Sequence, residues 1–287
     1  MNKACLFVSL SAGTGVYARH KKKILDTLRP LFDELEVVEA IDLSDGEKAI
    51  KELGEDVRTL LIVGGDGTFY QVINWLYLYG KKPLIAYING GTLGDVGKNF
   101  GISKNLHRAL KVIKDGHLSS FDIVKVGEKV FAYMGAVGSY SDVSYKVDGK
   151  KKKRLGRLSY YFLSFREAFK GKRIHVAVEY EGRTIEADVP FLLLLNGRNV
   201  GGFRINKKGS IQDGKLEVYL PKPGLFNGLL PFFLSPNKVE RISLSKAHIR
   251  LDSSLTWCFD GEEGGRGDLD VEVLQSAFQI YSSSDLR

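Results

Sequence analysis

The chain has 287 residues, of which 44% are hydrophobic and 26% are charged, values typical of a globular protein. Its length allows a large core and two domains. The chain has two cysteines, Cys5 and Cys258, which excludes a fold stabilised by several disulfide bonds.

The charge balance predicts an anionic partner. The formal net charge is +8 and the pI is near 9.2. No motif typical of RNA or DNA binding accompanies this charge, so we expect no nucleic-acid partner. The low cysteine content predicts a reducing compartment and a cytoplasmic protein. No apolar run approaches the roughly 20 residues that cross a bilayer.

The first part of the chain alternates strand-like and helix-like segments. Strands are predicted at 4–9, 35–40, 59–63 and 83–88, and helices at 16–34, from Ser44 to about Gly54, from Phe69 to Gly80, and from Ser103 to Gly116. Ser44 is predicted to open its helix with a capping box, and Ser103 to cap the last one. Such alternation predicts a parallel α/β sheet.

After Phe121 the pattern changes to strand-like runs separated by turns. Strands are predicted at 122–126, 130–137, 174–180, 184–195, 216–220, 247–251 and 255–259, with a hairpin turn at Glu181-Gly182 and one helix at about 158–169. This pattern predicts a mostly antiparallel β-sandwich. We expect an α/β domain at 1–120 and a β domain at 121–273, with residues 274–287 as a candidate segment for returning to the first domain.

The most informative stretch is Leu-Leu-Ile-Val-Gly-Gly-Asp-Gly-Thr at 60–68, where a buried strand turns into glycines. Glycines let backbone amides converge on an anion at the start of a helix. A carboxylate there repels phosphate unless a cation lies between them, so Asp66 points to a magnesium-linked phosphate site. The alternative is a plain strand-to-helix turn with a capping aspartate.

Three further segments carry polar groups suited to phosphoryl transfer, which needs a phosphate cradle, carboxylates for Mg²⁺ and a base. The first is Asn-Gly-Gly-Thr-Leu-Gly-Asp at 89–95, which also follows a strand. The second is Asp122, at the start of a strand. The third is Asp-Gly-Glu at 260–262.

In this order the motifs resemble the diacylglycerol kinase catalytic-domain family, which includes bacterial lipid kinases and sphingosine kinases. Asn-Gly-Arg-Asn-Val-Gly-Gly at 196–202 and Asp-Gly-Lys-Leu at 213–216 extend the resemblance over nearly the whole chain. It implies an α/β nucleotide domain, a β-sandwich and an active site in the cleft between them. The implied activity is ATP-dependent phosphorylation of diacylglycerol or a related lipid alcohol, with Mg²⁺.

The resemblance also implies roles for individual residues. Glu262 would be the general base, with Asp260 beside it and Asp66 as a further catalytic residue. Asp66, Asp95 and Asp122 would organise the catalytic Mg²⁺ through water. Asp213 and the carbonyls of Ser210 and Lys215 would hold a structural Mg²⁺. The residues matching the nucleotide site are Ser9, Ser11, Gly13, Gly64, Gly65, Asp66, Gly67, Thr68, Gly91 and Thr92.

Two loops depart from the family pattern. Residues 9–13 stand where the family has an asparagine-proline loop, and Asn89 and Gly94 replace the proline and asparagine of the second loop. The second loop thereby resembles that of NAD kinases, which share GGDGT and a related fold. A soluble NAD kinase-like enzyme and a non-catalytic lipid- or nucleotide-binding homologue therefore stay open as alternatives.

Two runs suggest peripheral contact with a membrane. One is basic and extends from Lys150 to Arg154. The other is apolar, extends from Leu225 to Leu234 and is interrupted by proline, which suits a short interfacial element. The alternative for the basic run is a solvated loop, and the alternative for the apolar run is a core segment. We also expect a lipid substrate and allow for a homodimer.

Overall fold

The structure is a computed structural model of the 287-residue chain, and it describes residues 2–10, 15–138, 173–207, 209–221 and 239–284. The chain divides into two compact units. The first comprises Met1–Asp122 and Gln275–Arg287, and the second comprises Ile123–Leu274. The helix predicted near 158–169 and both proposed membrane-contacting runs lie outside the described residues. The assignment of a nucleotide to one unit and a lipid to the other remains a prediction.

The first unit alternates strands and helices, as predicted. Its elements are β1 (Lys3–Ser9), α1 (Val16–Leu28), a 3₁₀ turn (Arg29–Leu31), β2 (Glu34–Ala40), α2 (Leu43–Lys51), β3 (Val57–Gly64), α3 (Asp66–Leu78), β4 (Leu84–Asn89), α4 (Asp95–Asn99), α5 (Leu106–Asp115) and the start of β5 (Leu118–Val126). Strands β1 to β4 pair in parallel in the order β2-β1-β3-β4. The run at 60–63 is fully buried because helices cover both faces of such a sheet.

Parallel pairing places the carboxyl ends of the strands at one edge of the sheet. Gly64 at the end of β3 lies beside Asn89 at the end of β4. The two glycine-rich segments follow these residues, so the sheet itself brings them together. Ligands of open α/β sheets bind at this edge.

An aromatic cluster forms part of the core beneath α3. The ring centroids of Phe69 and Tyr87 are 5.3 Å apart, those of Phe100 and Phe121 are 4.9 Å apart, and those of Phe121 and Phe278 are 5.7 Å apart. Phe278 belongs to β18 (Leu269–Tyr281), whose last residues form part of the first unit. There Ile280 pairs in parallel with Ile85 of β4.

The second unit is built from antiparallel strands. They are β6 (Lys129–Phe131), β7 (Met134–Gly138), β8 (Ile174–Tyr180), β9 (Arg183–Val189), β10 (Phe191–Leu195), β11 (Asn199–Val200), β12 (Phe203–Arg204), β13 (Leu216–Pro221), β14 (Val239–Leu244), β15 (Lys246–Arg250), β16 (Thr256–Phe259), β17 (Glu262–Arg266) and the first part of β18. One sheet has the order β14-β13-β10-β7-β16-β17. The predicted fold class, an α/β half followed by an antiparallel β half, is confirmed.

Several helix boundaries differ from those predicted. Helix α1 ends at Leu28 rather than at 34, because Pro30 lacks the amide that would continue it. The predicted cap of α2 at Ser44 is wrong: Asp42 is the N-cap, and its carboxylate accepts a hydrogen bond from the Asp45 amide at 3.0 Å.

The predicted cap of α5 is also wrong. Asn105, not Ser103, is the N-cap, and its Oδ1 accepts from the Arg108 amide. Ser103 instead accepts, through its hydroxyl, from the Asn105 amide. The end of this helix at Gly116, in the left-handed conformation, agrees with the prediction.

Two strands that were predicted as continuous are each broken in two. The run at 184–195 breaks at Pro190, which has no amide to donate to a neighbouring strand. The run at 130–137 breaks at Ala132 and Tyr133, whose amides bond to the side chain of Asp260 instead.

Candidate active site

The glycine-rich segment at 64–68 joins β3 directly to α3. Gly65 is the N-cap of α3 and supplies no side-chain cap, and the first helical hydrogen bond runs from the Phe69 amide to the Gly65 carbonyl at 3.0 Å. The first amides of a helix have no partner within the helix. Those of α3 therefore form the positive end of a 13-residue helix, a site suited to an anion.

A second glycine-rich segment packs against the first, backbone to backbone. The Gly90 amide donates to the Gly64 carbonyl at 2.7 Å. A β-carbon on Gly91 would lie 2.8 Å from the α-carbon of Gly65, closer than real β-carbons approach. Glycine is therefore required where the two segments meet, and together they present backbone rather than side chains.

Asp66 joins the two segments through its carboxylate. It is completely buried and accepts from three consecutive amides, those of Gly94 at 3.0 Å and of Asp95 and Val96 at 3.2 Å. These amides open α4, so Asp66 caps a helix other than its own. The alternative of an aspartate that caps its own helix therefore does not describe Asp66.

The electrostatics of this carboxylate are unusual. Burial raises the pKa of Asp66 above its ordinary value, and the nearby charge of Asp95 raises it further, while the three amide hydrogen bonds lower it. Asp95 itself is buried, and Lys98 Nζ lies 3.7 Å from its Oδ1. Two buried carboxylates that repel each other form an environment that attracts a cation.

The side chain of Asn89 forms a hydrogen bond within the second glycine-rich segment. Its Oδ1 accepts from the Gly91 amide at 2.7 Å. Its buried Nδ2 has no hydrogen-bond partner among the described residues. A β-carbon on Gly94 would overlap this Nδ2, so the two departures from the family pattern, at 89 and 94, fit each other sterically.

Asp122, the third predicted metal carboxylate, is completely buried in β5. Its Oδ1 accepts from the Ser276 amide at 2.7 Å. In the described part of the chain, no group of three or more His, Cys, Asp or Glu side chains is arranged to hold a metal ion.

The remaining residues predicted for the nucleotide site differ in their exposure. Ser9 is half-buried at the end of β1, Thr68 is half-buried in the first turn of α3, and Thr92 is exposed. The Lys104 ammonium donates to the Thr92 carbonyl. Ser11 and Gly13 lie outside the described residues.

In the second unit, Asp260 and Gly261 form a two-residue hairpin turn between β16 and β17. Their φ angles are 49° and 90°, as in a type I′ turn. The buried Asp260 carboxylate accepts from the amides of Ala132, Tyr133 and Met134 at 2.6–3.0 Å. Asp260 is therefore an anchor of the turn, and Glu262, half-buried, is the first residue after it.

Sequence reasoning missed the segment at 132–134 because nothing in its composition marks it. It links the Asp-Gly turn to Asn196, whose Nδ2 donates to the Ala132 carbonyl at 2.7 Å. The Asn196 amide donates to the Tyr133 carbonyl at 3.0 Å. The asparagine of the Asn-Gly-Arg motif was the available signal.

The predicted structural metal residues lie together in one tight turn. Asp213 accepts from the amides of Ser210, at 3.1 Å, and Lys215, at 3.0 Å. These bonds hold the three residues in place, while the carbonyls named for the metal remain a prediction.

Two glycine-rich segments meet at the start of a helix, at the carboxyl edge of a parallel sheet, in an α/β unit that is followed by a β unit. Residues 3–126 match the family model of the diacylglycerol kinase catalytic domain. Over these residues the predicted resemblance to the diacylglycerol kinase catalytic-domain family is borne out. The predicted enzyme class, a lipid kinase, agrees with this match to a kinase catalytic domain.

Individual relatives agree with this family. A diacylglycerol kinase of Staphylococcus carnosus (strain TM300) is 25% identical over 246 residues, which cover 83% of this chain and 80% of the relative. A crystal structure of a Bacillus anthracis (strain Sterne) protein has a TM-score of 0.87 at 25% identity and covers 100% of this chain and 97% of its own. A structure titled as a diacylglycerol kinase of the same strain has a TM-score of 0.84 at 22% identity, covering 100% and 99%.

Proposed function

We propose that this protein transfers the γ-phosphoryl group of ATP to the hydroxyl of diacylglycerol or a related lipid, in a magnesium-dependent reaction. The observation that carries the proposal is the close approach of Gly65 and Gly91 at the start of α3. Two backbone loops held in this way offer amides, rather than long side chains, to a polyphosphate.

The nucleotide would lie along the carboxyl edge of β1, β3 and β4. The amides at residues 64–68 and 92 would face its phosphates, with Thr68 and Thr92 adding hydroxyls. Gly91, whose amide is held by Asn89 Oδ1, would let the second segment approach. Ser9, Ser11 and Gly13 would complete the site after β1. The high net charge of the chain, +8, adds a general attraction for this anion.

The chemistry of the donor set fits Mg²⁺. This ion usually binds one or two carboxylates, several waters and substrate phosphates, rather than an all-protein cage. Asp66 is occupied by three amides, which favours contact through water. Asp95 and Asp122 would be its partners, and the ion would neutralise charge on the transferring phosphoryl group when bound.

Glu262 would take the proton from the lipid hydroxyl. An uncharged alcohol is a weak nucleophile, so a positioned base and in-line geometry both contribute to the rate. Asp260 would act as a positioning residue, since it fixes the turn after which Glu262 begins β17. We assign Ser210, Asp213 and Lys215 to a separate structural Mg²⁺.

The acceptor would be reached at a membrane surface. No helix in the described ranges is long and apolar enough to cross a membrane. Peripheral association in the cytoplasm, through Lys150 to Arg154 and Leu225 to Leu234, is part of the proposal. A homodimer is an additional hypothesis that an ultracentrifugation measurement would test.

A specific observation favours a second candidate. Asn89 and Gly94 fit each other as a unit, and this pair makes the second loop resemble that of NAD kinases. The soluble acceptor NAD is therefore the alternative to a lipid.

One experiment separates the candidates. The protein is incubated with γ-labelled ATP and Mg²⁺, in parallel with vesicles that contain diacylglycerol, with a total lipid extract, and with NAD. Label in a lipid product is the expected result, and product analysis identifies the acceptor. Label in NADP would overturn the lipid assignment, and nucleotide binding without transfer to any acceptor would favour a non-catalytic homologue.

A further inference from the structure

Ser276 adopts a backbone conformation that a serine rarely takes. Among the described residues, three that are not glycine have positive φ angles: Glu181, Asp260 and Ser276. The first two lie in two-residue hairpin turns, where this conformation is expected. Ser276, with φ of 51°, lies within the 13-residue strand β18. A left-handed residue in a strand produces a bulge, and glycine usually occupies it.

Ser276 lies in the part of β18 where the strand changes its partner. Residues 269–272 of the strand pair with β15 in the second unit, and Ile280 pairs with Ile85 in the first. The left-handed turn re-aims the Ser276 amide out of the regular ladder. That amide donates to Asp122 Oδ1 at 2.7 Å.

Asp122 is completely buried, so its orientation depends on the groups around it. A short amide bond to a carboxylate is charge-assisted and stronger than a bond between neutral groups. Ser276 Oγ lies 3.3 Å from Ser120 Oγ, on the same strand as Asp122 and two residues before it. Backbone strain of this kind persists where surrounding contacts impose it, and it concentrates at functional sites.

We propose that Ser276 is a positioning residue for the reaction: its strained backbone aims an amide at Asp122 and fixes that carboxylate in the orientation used for Mg²⁺ and nucleotide. This inference rests on the proposed function, which places Asp122 at the metal. The β-carbon of Ser276 matters because it confines the residue to a narrow left-handed region. Glycine there would leave the amide free to turn away.

The test compares three variants by calorimetric titration with ADP, with and without Mg²⁺, and by thermal unfolding. Ser276→Gly should weaken the Mg²⁺-dependent part of ADP binding by about fivefold or more. Its unfolding midpoint should stay near that of the unsubstituted protein, since relieved strain offsets the added freedom of the unfolded chain. Ser276→Ala keeps the strained backbone and the amide and should bind like the parent.

Glu181→Gly is the matched control. Glu181 has nearly the same φ, 48°, and lies exposed in the hairpin turn between β8 and β9. Its replacement relieves the same kind of strain at a distant turn, so the Mg²⁺ dependence of ADP binding should not change.

The outcomes separate this inference from the function on which it rests. If the unsubstituted protein binds ADP with the same affinity whether or not Mg²⁺ is present, the proposed function fails and the inference fails with it. If Mg²⁺ strengthens binding equally, within about twofold, in the parent and in Ser276→Gly, Ser276 has no positioning role. A loss of stability with unchanged Mg²⁺ dependence would likewise show a purely structural role.

Discussion

The two Asp-Gly turns of this protein, at 66–67 in the first unit and at 260–261 in the second, have the same dipeptide and opposite backbone forms. Asp66 and Gly67 form the first turn of a helix, whereas Asp260 and Gly261 form a left-handed hairpin turn. In each case the carboxylate is buried and accepts from three consecutive amides of another segment.

In both turns the aspartate side chain holds a distant loop in place. The turns differ in the groups that lie next to the aspartate. The first turn presents the open amides of α3 and has a second buried carboxylate, Asp95, nearby, which suits phosphate and a cation. The second presents a strand that begins with Glu262. We infer that each aspartate is an anchor, and that at the second turn the residue beside it, Glu262, carries the function.

The largest expected effect tests the anchor role of Asp260. Asp260→Ala leaves three buried amides without their acceptor and should lower the free energy of unfolding by about 3–5 kcal/mol in urea denaturation. Asp252→Ala is the control, because exposed Asp252 accepts from the amide and the hydroxyl of nearby Ser254 and should cost less than about 1 kcal/mol. Equal losses in both variants would contradict the anchor role. Asp260→Asn keeps one acceptor oxygen and should be intermediate.

The next largest effect is expected on turnover, from Glu262 after the second turn. Glu262→Gln should lower turnover about 10²-fold or more because the amide cannot accept the hydroxyl proton, while nucleotide binding stays near that of the parent. Glu263→Gln changes the next carboxylate along the strand and should be nearly silent. Turnover of Glu262→Gln equal to that of the parent would remove Glu262 from the role of base.

A smaller effect is expected from the meeting point of the two glycine segments. Gly91→Ala would push Gly65 away and should weaken nucleotide binding by about tenfold, measured by equilibrium titration. Gly265→Ala is the control, because its β-carbon would meet no atom within 4 Å. Unchanged binding by Gly91→Ala would show that the close approach is dispensable for phosphate recognition.

The smallest expected effect concerns the reactivity of the two cysteines, one in each unit. Burial raises the pKa of Cys5 and of Cys258 to about 12, so little thiolate exists in the folded protein at pH 8. Both thiols should resist alkylation until the protein is unfolded, as mass spectrometry would show. In Asp260→Asn, Cys258 should become reactive before Cys5, since Cys258 lies two residues before the altered turn. Equal alkylation of the two cysteines would mean that the two units unfold together.

Much of the fold follows from local pattern. The aliphatic run at 60–63, the helical spacing of Phe69, Val72, Ile73 and Leu76, and the Glu181-Gly182 turn each predict an element that the structure contains. Cap positions and strand breaks were predicted less well. Asp42 and Asn105 displaced the expected serine caps, because which residue begins a helix depends on single hydrogen bonds that periodicity does not encode.

The sequence by itself determined the two-part architecture and the two glycine-rich segments, because buried strands and tight turns demand particular residues at neighbouring positions. Only the tertiary structure decided that Asp66 caps α4, that Asp260 anchors residues 132–134 and that Ser276 holds Asp122. Each of these contacts joins residues at least 28 positions apart. Carboxylates far along the chain find their amide partners only once the sheets have formed, and no local pattern specifies the pairing.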